Sequence, residues 1–505
     1  MANDYAKDLI FISPLLTLTV GALLMLIYEV FIKRPWSKGA FAFIVLITAF
    51  LLNFYLLYNN FYIVPRTAFS GQIYVDNFSG FVNCFILITA AVAVLLSMSH
   101  IETEKINSPG EYYALLLMTT IGALIFNSSA EFITLFIGLE IMSMALYCLC
   151  GSATAIRGSA ESALKYFFLG SFSSAFMLYG IAILYGLTGS TELLIISHNI
   201  GFTDTALPAV AIGLILVGLL FKIAAVPFHF WAPDVYQGAP TPVTIYMASV
   251  IKASAVVVSL RVLWTAFPQS LQIWTGAVWT LAILTMTLGN LIALRQRSLK
   301  RMLAYSSIAH AGYMMVALLV AAPEYGGAAA VVFYLVAYSA MTLGSFAIVM
   351  AIAAPKSGQP LSDDISHFNG LYKKHPLLAA LMALFMLSLA GIPPGMVGLL
   401  GKFYVFNSAV KAGFVGLAVI GVLNSAVSVY YYLRVVVAMY FIEQTAGEQE
   451  NKTHVGLPMA AGLTVCALAV ILLGLFPSRL YQNAQTAVEP LFPDSEGVFT
   501  IKYRK

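Results

Sequence analysis

Apolar runs of about 20 residues recur along the whole chain, and they constrain its fold more than any other feature. A helix needs about 20 residues to cross the roughly 30 Å of bilayer hydrocarbon, whereas the strands of a membrane barrel alternate with a period of two. The runs here do not alternate. Because no water satisfies backbone polar groups inside lipid, such runs predict transmembrane helices. The sequence therefore predicts an all-α, polytopic membrane protein.

Turn and charge signals divide the chain into about fourteen predicted spans. The predicted spans are residues 10–32, 39–59, 78–98, 111–127, 130–151, 159–187, 207–236, 241–263, 271–294, 299–320, 325–352, 377–406, 409–440 and 456–478. No predicted loop is long enough to hold a soluble domain. We therefore expect any redox or nucleotide chemistry to be performed by a partner.

Composition excludes several classes of function. Only 10% of the residues are charged, and the net charge of +4 is spread through loops, so nucleic acid is not an expected partner. The four cysteines lie in apolar stretches without the spacing of a zinc or iron–sulfur site. The nucleotide and nucleophile motifs GxGxxG, GxxxxGK[ST], HExxH and GxSxG do not occur. We expect this chain to bind no metal and no redox cofactor itself.

Lysine and arginine in the loops predict the orientation. Most of them fall on the side that follows the first span, and this side should be cytoplasmic. The N-terminus lacks a basic segment and a small-residue cleavage site, so we expect the first span to be retained. These features predict a multi-pass protein of the inner, cytoplasmic membrane with both termini on the outer, periplasmic side.

Two predicted spans are too long for one straight crossing. Residues 207–236 and 377–406 would each extend about 45 Å as continuous helix. Both contain helix breakers, which are Pro227 and Pro233 in the seventh span and Gly391, Pro393, Pro394 and Gly395 in the twelfth. Since the two spans lie five crossings apart, they run in opposite directions. A matched pair of interrupted helices predicts two inverted five-helix repeats with a site between them at the membrane midplane.

This pattern predicts the organisation of the chain. A three-helix segment, a first repeat of helices 4–8, an inverted second repeat of helices 9–13, and a last helix with a tail should follow one another. We place them at residues 1–110, 111–263, 271–440 and 441–505.

Lys300, Arg301 and Lys411 fall at the edges of their spans and are counted with the loops. Six other basic residues lie inside predicted spans, although a charge near the bilayer centre costs at least a few kcal/mol. They are Lys165, Lys222, Lys252, Arg261, Lys402 and Arg434. Arg261 and Arg434 are near span ends, which favours interfacial anchors. Lys165 follows Glu161 by four residues, the spacing of an ordinary helix ion pair.

The strongest candidates for chemistry are Glu140, Lys222, Lys252 and Lys402. Burial weakens the hold of a lysine on its proton and a nearby carboxylate strengthens it, so a buried lysine–glutamate pair can exchange protons. Lys222 and Lys402 each lie near a predicted break, where freed carbonyls could bind an ammonium. The alternatives are a carboxylate that pins two helices, for Glu140, and lysines that snorkel to the interface.

Two histidines, His229 and His310, also lie at predicted membrane depth. A single histidine in an apolar helix is more often a hydrogen-bonded core residue, but imidazole is suited to proton relay. Neither has a second ligand one turn away that would support a metal.

Three long motifs carry a family resemblance, namely PFHFWAPDVYQGAPTPVT, GNLIALRQRSLKRMLAYSSIAHAGY and LSLAGIPPGMVGLLGKFYVF. They resemble the antiporter-like subunits of bacterial NADH:quinone oxidoreductase, respiratory complex I, and the likeness runs nearly end to end. Within that family, the length, the span number and the lack of a long C-terminal lateral helix are similar to the N type. Lys402 supports this, because the M type has glutamate at the corresponding position.

The resemblance implies a proton-translocating role. It implies that Glu140 governs the protonation of Lys222, and that the proton passes through Lys252 to Lys402. His229, His310, Lys165 and Lys300 are implied as further relay positions. The other membrane subunits, M-type and small, and a peripheral redox arm carrying NADH, FMN, iron–sulfur clusters and quinone are the implied partners, with the lipid bilayer around them.

Three alternatives remain open from the sequence. The chain could be an Mrp-type cation/proton antiporter, or a membrane subunit of a related hydrogenase. A purely structural membrane anchor is the third, and it would tolerate neutral substitution of the buried charges.

Overall fold

The computed structural model describes residues 8–32, 34–59, 61–62, 65–101, 103–104, 106, 108–200, 206–352, 363–443 and 455–492. Within them the protein is helical apart from one hairpin, in which Arg66–Ala68 (β1) pairs antiparallel with Ile73–Val75 (β2). The predicted location of both chain termini lies outside the described residues.

The α-helices are, in chain order, α1 Ser13–Phe31, α2 Pro35–Tyr58, α3 Asn77–Ser97, α4 Pro109–Ser128, α5 Phe132–Cys150, α6 Arg157–Thr188, α7 Leu193–Asn199, α8 Leu207–Ile223, α9 Trp231–Gly238, α10 Thr241–Tyr246, α11 Lys252–Arg261, α12 Leu271–Ala293, α13 Leu299–Leu319, α14 Gly327–Ile352, α15 Leu371–Lys374, α16 Pro376–Ala390, α17 Met396–Lys411, α18 Val415–Phe441, α19 Leu457–Leu475 and α20 Pro477–Val488. Short 3-10 segments occupy Pro268–Ser270, Ile365–Phe368 and Glu489–Leu491. The hairpin, α7 and α20 were not predicted.

Twelve helical segments among the described residues are long and apolar enough to cross a bilayer. The other two predicted spans, the seventh and the twelfth, are interrupted and contain the shorter apolar helices α8 and α16. The prediction of an all-α, polytopic membrane protein is confirmed. The exact number of crossings, the inverted repeats and the four-part division stay predictions.

Both predicted helix breaks are present. In the seventh span α8 ends at Ile223, and Ala224 takes a left-handed conformation with φ of 63° before α9 begins. In the twelfth span α16 ends at Ala390, and Gly391 takes φ of 82°, the usual glycine termination of a helix. Pro233 was wrongly predicted as a breaker. It lies in the first turn of α9, where a missing N–H breaks no helix hydrogen bond.

The eighth span lies at the centre of the bundle. It continues from Thr241 to Ala266, and other elements cover its most apolar stretch completely. Two π-helical turns, Met247–Ile251 and Val262–Ala266, flank α11. Such turns displace side chains from the regular helical face and often occur at functional sites. Lys252 directly follows the first of them.

A buried ion pair joins the N-terminal helices to this central span. Arg261 donates hydrogen bonds of 2.8 and 3.0 Å to Asp76, and both side chains are only 2% exposed. Asp76 also caps α3 by accepting a hydrogen bond of 2.7 Å from the amide of Ser79. The prediction of Arg261 as an interfacial anchor is therefore wrong. Arg261 lies near the end of its span but pairs with Asp76 across the bundle, and a single sequence does not reveal a partner so distant in the chain.

Arg434, also predicted as an anchor, lies on α18. Its half-buried side chain reaches the C-terminal end of α12. It donates hydrogen bonds to the carbonyls of Leu294 and Gln296, at 2.9 and 2.5 Å. These carbonyls have no partner within the helix, so the guanidinium completes the helix terminus.

We expect Asp76→Asn to destabilise the protein by about 3–5 kcal/mol, because it keeps the helix cap but leaves the Arg261 guanidinium buried without a counter-charge. The measurement is the temperature at which half of the intact membrane assembly is lost. The matched control is Glu443→Gln, which removes an exposed ion pair with Lys373 and should leave that temperature unchanged. Equal behaviour of the two variants would contradict the prediction.

Candidate functional site

Glu140 lies on α5 and Lys222 on α8, the helices of the fifth and seventh spans. Lys222 is 2% exposed in the last turn of α8, directly before the break. Their charges are close enough to interact, although no hydrogen bond joins the two side chains in the described residues. One carboxylate oxygen of Glu140 is buried without a hydrogen-bond partner. The pair is coupled by charge and not by direct contact.

Aromatic rings surround the Lys222 ammonium. Its Nζ lies 4.9 Å from the ring centre of Tyr166, 5.6 Å from that of Tyr147 and 5.5 Å from that of Phe221. It also donates a long hydrogen bond of 3.4 Å to the hydroxyl of Tyr166. Ring faces attract a cation within about 6 Å, so this cage supports the charged form of Lys222 inside the bundle. Freed carbonyls were expected at Lys222, but the Phe221 carbonyl is taken by Trp231.

Lys252 contacts the tenth span. Its Nζ donates to the carbonyl of Ser307 at 2.8 Å and also to the hydroxyl of the same residue. Ser249 and Ser259, on either side of Lys252 in the eighth span, each donate to the carbonyl one turn back in the same span, as serine in a helix often does.

His310 lies three residues after Ser307 on α13 and is 1% exposed. Each of its ring nitrogens meets a tyrosine hydroxyl: Nδ1 lies 2.7 Å from that of Tyr334, and Nε2 lies 3.0 Å from that of Tyr432. The charges of Lys252 and Lys402 both act on this ring. Lys252 binds Ser307 one turn before His310, and Lys402 lies 5.5 Å from the ring centre of Tyr313, which contacts the imidazole. His310 is therefore near both lysines.

Lys402 completes the broken end of α16. Its Nζ donates to the carbonyls of Leu389 and Ala390, at 3.0 and 2.9 Å, and to the hydroxyl of Ser425 at 2.8 Å. All three ammonium donors thus have acceptors. The side chain is 4% exposed and does not snorkel. The predicted binding of a lysine by freed carbonyls occurs here. An open, mainly apolar cavity of about 690 Å³ between α17 and α18, lined largely by exposed side chains, reaches Lys402.

An aromatic column links the Lys222 cage to Lys252. Tyr166 stacks on Trp231 with ring centres 4.7 Å apart, and Trp231 meets Tyr236 at 6.0 Å. The hydroxyl of Tyr236 lies beside Ser307, the partner of Lys252. Trp231 and Tyr236 both belong to α9, so the break in the seventh span turns this short helix between the two lysines.

Glu140, Lys222, Lys252, His310 and Lys402 are called the row below. The remaining predicted positions lie outside it. His229 is buried in the break between α8 and α9, and Lys300 is buried in the first turn of α13. In the described residues, no hydrogen bond or ion pair connects either of them to Glu140, Lys222, Lys252 or Lys402.

Lys165 takes part in a separate ion-pair network at one end of the bundle. It is 41% exposed and pairs with Glu161 at 2.7 Å and with Asp234 at 2.8 Å. Asp234 also binds Arg301 at 2.7 Å. The ion pair with Glu161 was predicted from spacing, whereas Asp234 and Arg301 were missed because both partners are distant in sequence.

Sequence reasoning also missed two hydroxyl-bearing partners of His310. Tyr334 and Tyr432 carry no charge, so nothing in their apolar surroundings distinguished them from packing residues. Among the described residues, no cluster of three His, Cys, Asp or Glu side chains could hold a metal ion.

Comparison with known proteins adds the family context. The family model for the transmembrane part of NADH:quinone oxidoreductase and Mrp antiporter subunits matches residues 129–428. NADH-quinone oxidoreductase subunit N of Trichlorobacter lovleyi is 42% identical over 482 residues, which are 95% of this chain and 96% of the relative.

Solved structures agree. A chain of respiratory complex I from Thermus thermophilus is 35% identical, with a TM-score of 0.77 over 93% of this chain and 98% of that chain. A chain of the Mrp complex from Dietzia sp. DQ12-45-1b has a TM-score of 0.81 over 98% of both chains. At 20% identity, this second likeness concerns the fold alone.

We expect Gly398→Ala to disrupt the broken twelfth span, because an added Cβ would lie 1.7 Å from the carbonyl oxygen of Ser388 in the preceding half-helix. The two halves must separate, and the carbonyls that bind Lys402 move with them. Function should be lost even where the protein still reaches the membrane. Measuring both the membrane content and the activity of the variant checks this.

The matched control is Gly416→Ala on α18. Its added Cβ meets nothing within 4 Å, and alanine favours a helix by about 1 kcal/mol over glycine. Normal activity of Gly398→Ala would show that the two half-helices do not need their close contact.

Proposed function

The chain belongs to the NADH-quinone oxidoreductase subunit N family of antiporter-like membrane proteins, and on that premise we propose that it is the proton-translocating subunit of such an enzyme. The observation that carries the proposal is the row formed by the half-buried Glu140 and the buried Lys222, Lys252, His310 and Lys402. Charges in a membrane interior are costly and mark ion pathways.

The proposed mechanism is charge coupling along the row. Neutralising Glu140, or moving its charge, removes the attraction that holds a proton on Lys222, and a unit charge in so poorly screened a site is worth on the order of a few kcal/mol. The proton then moves towards Lys252, His310 and Lys402. Lys402 ends the row beside the cavity between α17 and α18.

Each of the three lysines in the row contacts a different kind of group. Rings surround Lys222, one serine binds Lys252, and helix-end carbonyls with a serine bind Lys402. Because none of these groups is a carboxylate in direct contact, a lysine can give up its proton without leaving a buried anion against it. This feature favours proton transfer over permanent ion pairing.

The redox chemistry belongs to other subunits in this proposal. NADH, FMN, iron–sulfur clusters and quinone would be held by the peripheral arm and by its junction with the membrane, and the M-type and small membrane subunits would be lateral partners. The protein would lie in the inner, cytoplasmic membrane with both termini outside. His229, Lys165 and Lys300 are proposed as accessory positions only.

We expect Lys222→Met and Glu140→Gln each to reduce proton transfer through this subunit by about 100-fold or more, the scale that one proton-transferring side chain contributes. The measurement is proton uptake per NADH oxidised, in membrane vesicles that contain the assembled enzyme. Lys411→Met is the matched control, since Lys411 is exposed at the end of α17 and should be replaceable without effect.

Undiminished pumping by the Lys222 and Glu140 variants at full NADH oxidation would instead support a structural membrane anchor. The family model also covers Mrp antiporters, which favours a cation/proton antiporter as the second candidate. Pumping that requires sodium or potassium, in a complex without redox subunits, would select that candidate.

A further inference from the structure

Tyr432 occupies a position that the proposed row of lysines does not use. Its side chain is completely buried on α18, and its ring packs against that of Tyr431 with centres 4.5 Å apart. The hydroxyl nevertheless has two polar partners, Nε2 of His310 at 3.0 Å and the hydroxyl of Ser306. A buried hydroxyl between two groups that can both give and accept a proton is placed for transfer.

The connection from His310 through Tyr432 to Ser306 runs in a different direction from the row. Ser306 precedes His310 by four residues on α13, so it lies one turn nearer the helix start at Leu299. Lys300 is buried in that first turn, at 2% exposure, and Arg301 follows it at the bundle surface, where it binds Asp234. Tyr432 and Ser306 thus lead away from the row, towards the end of the bundle where basic residues cluster.

We propose that Tyr432 is a proton-relay residue, through which His310 exchanges protons with a side branch that runs by Ser306 towards the Leu299 end of α13. The inference rests on the proposed function, because a branch is useful only if His310 carries protons. It deepens that function by assigning the row a second point of proton access besides the Glu140–Lys222 end.

The transfer is balanced if the protons shift together. Ser306 passes its hydroxyl proton to the oxygen of Tyr432, and Tyr432 passes its own proton to Nε2 of neutral His310. Ser306 regains a proton from the branch. The imidazolium releases the proton on Nδ1 to the oxygen of Tyr334, and Tyr334 at the same time passes its own hydroxyl proton on to a neutral lysine amine of the row. Neither tyrosine is left as a phenolate, an anion that ordinarily forms only near pH 10.

Among the described groups around His310, Tyr432 is the one that connects the imidazole to Ser306 and so to the branch. Tyr334 meets the other ring nitrogen. Tyr313 and Tyr338 contact the imidazole with their rings, and the hydroxyl of Tyr313 is held by Asn290. Lys252 and Lys402 act on the ring through their charges.

The test is Tyr432→Phe in the assembled enzyme, studied in membrane vesicles. The variant keeps the buried ring and removes only the hydroxyl. Proton uptake per NADH should fall, but by less than in Lys252→Met, which interrupts the row itself, because the Glu140–Lys222 end still supplies protons. The solvent isotope effect on pumping should rise in Tyr432→Phe, because transfer to His310 becomes limiting. Tyr246→Phe is the matched control, since it removes an equally buried tyrosine hydroxyl that bonds Thr120, away from the row.

Ser306→Ala provides a second, smaller change on the same branch. Its effect should resemble that of Tyr432→Phe, and the double variant should be no worse than either single variant, because two breaks in one route do not add. Ser345→Ala, which removes a buried hydroxyl bonded only to its own helix, should pump normally.

The outcomes separate the two proposals. Full pumping by Tyr432→Phe or by Ser306→Ala, with Lys252→Met defective, overturns the branch and leaves the proposed function intact. A loss of pumping that only parallels a loss of assembled enzyme, with an unchanged isotope effect, also overturns it by assigning Tyr432 a structural role. Normal pumping by Lys252→Met and Lys222→Met overturns the proposed function and the branch together.

Discussion

The cost of holding an ammonium group inside an apolar bundle governs the arrangement of this protein. Each buried lysine needs acceptors or electron-rich rings, and a regular transmembrane helix offers few because its carbonyls already bond its own amides. At two of the three lysines the chain supplies them by breaking a helix. At Lys402 the broken end of α16 exposes two carbonyls, and at Lys222 the break turns α9 so that Trp231 packs against Tyr166 and Phe221 of the ring cage.

Direct carboxylate partners are used differently inside the row and outside it. Arg261 and Asp76 are in contact and fully buried, an arrangement suited to a permanent charge that fixes the N-terminal helices. Lys222 and Glu140 interact without contact, and Lys252 and Lys402 are held by neutral oxygens. The same bundle therefore separates charges that hold it together from charges that can change their protonation.

The central spans make this separation possible. The eighth, tenth and eleventh spans are almost completely covered by other helices, so their polar side chains meet other protein groups. His310 is the clearest case, with a tyrosine hydroxyl on each nitrogen from two different spans, α14 and α18. A π-helical turn before Lys252 shifts this lysine out of the regular helical register, and its ammonium reaches Ser307 on α13.

Sequence alone determined the membrane class, the positions of the helices and both breaks, since each depends on local composition or on proline and glycine chemistry. It also identified Glu140, Lys222, Lys252 and Lys402, because a charge in an apolar run is visible without a structure. The partners were decided by tertiary structure. Asp76 for Arg261, Ser307 for Lys252 and Tyr432 for His310 come from helices distant in the chain, and serine and tyrosine are not conspicuous among apolar residues. Local energetics places a charge in a helix, but only the packing of that helix against others selects what the charge meets.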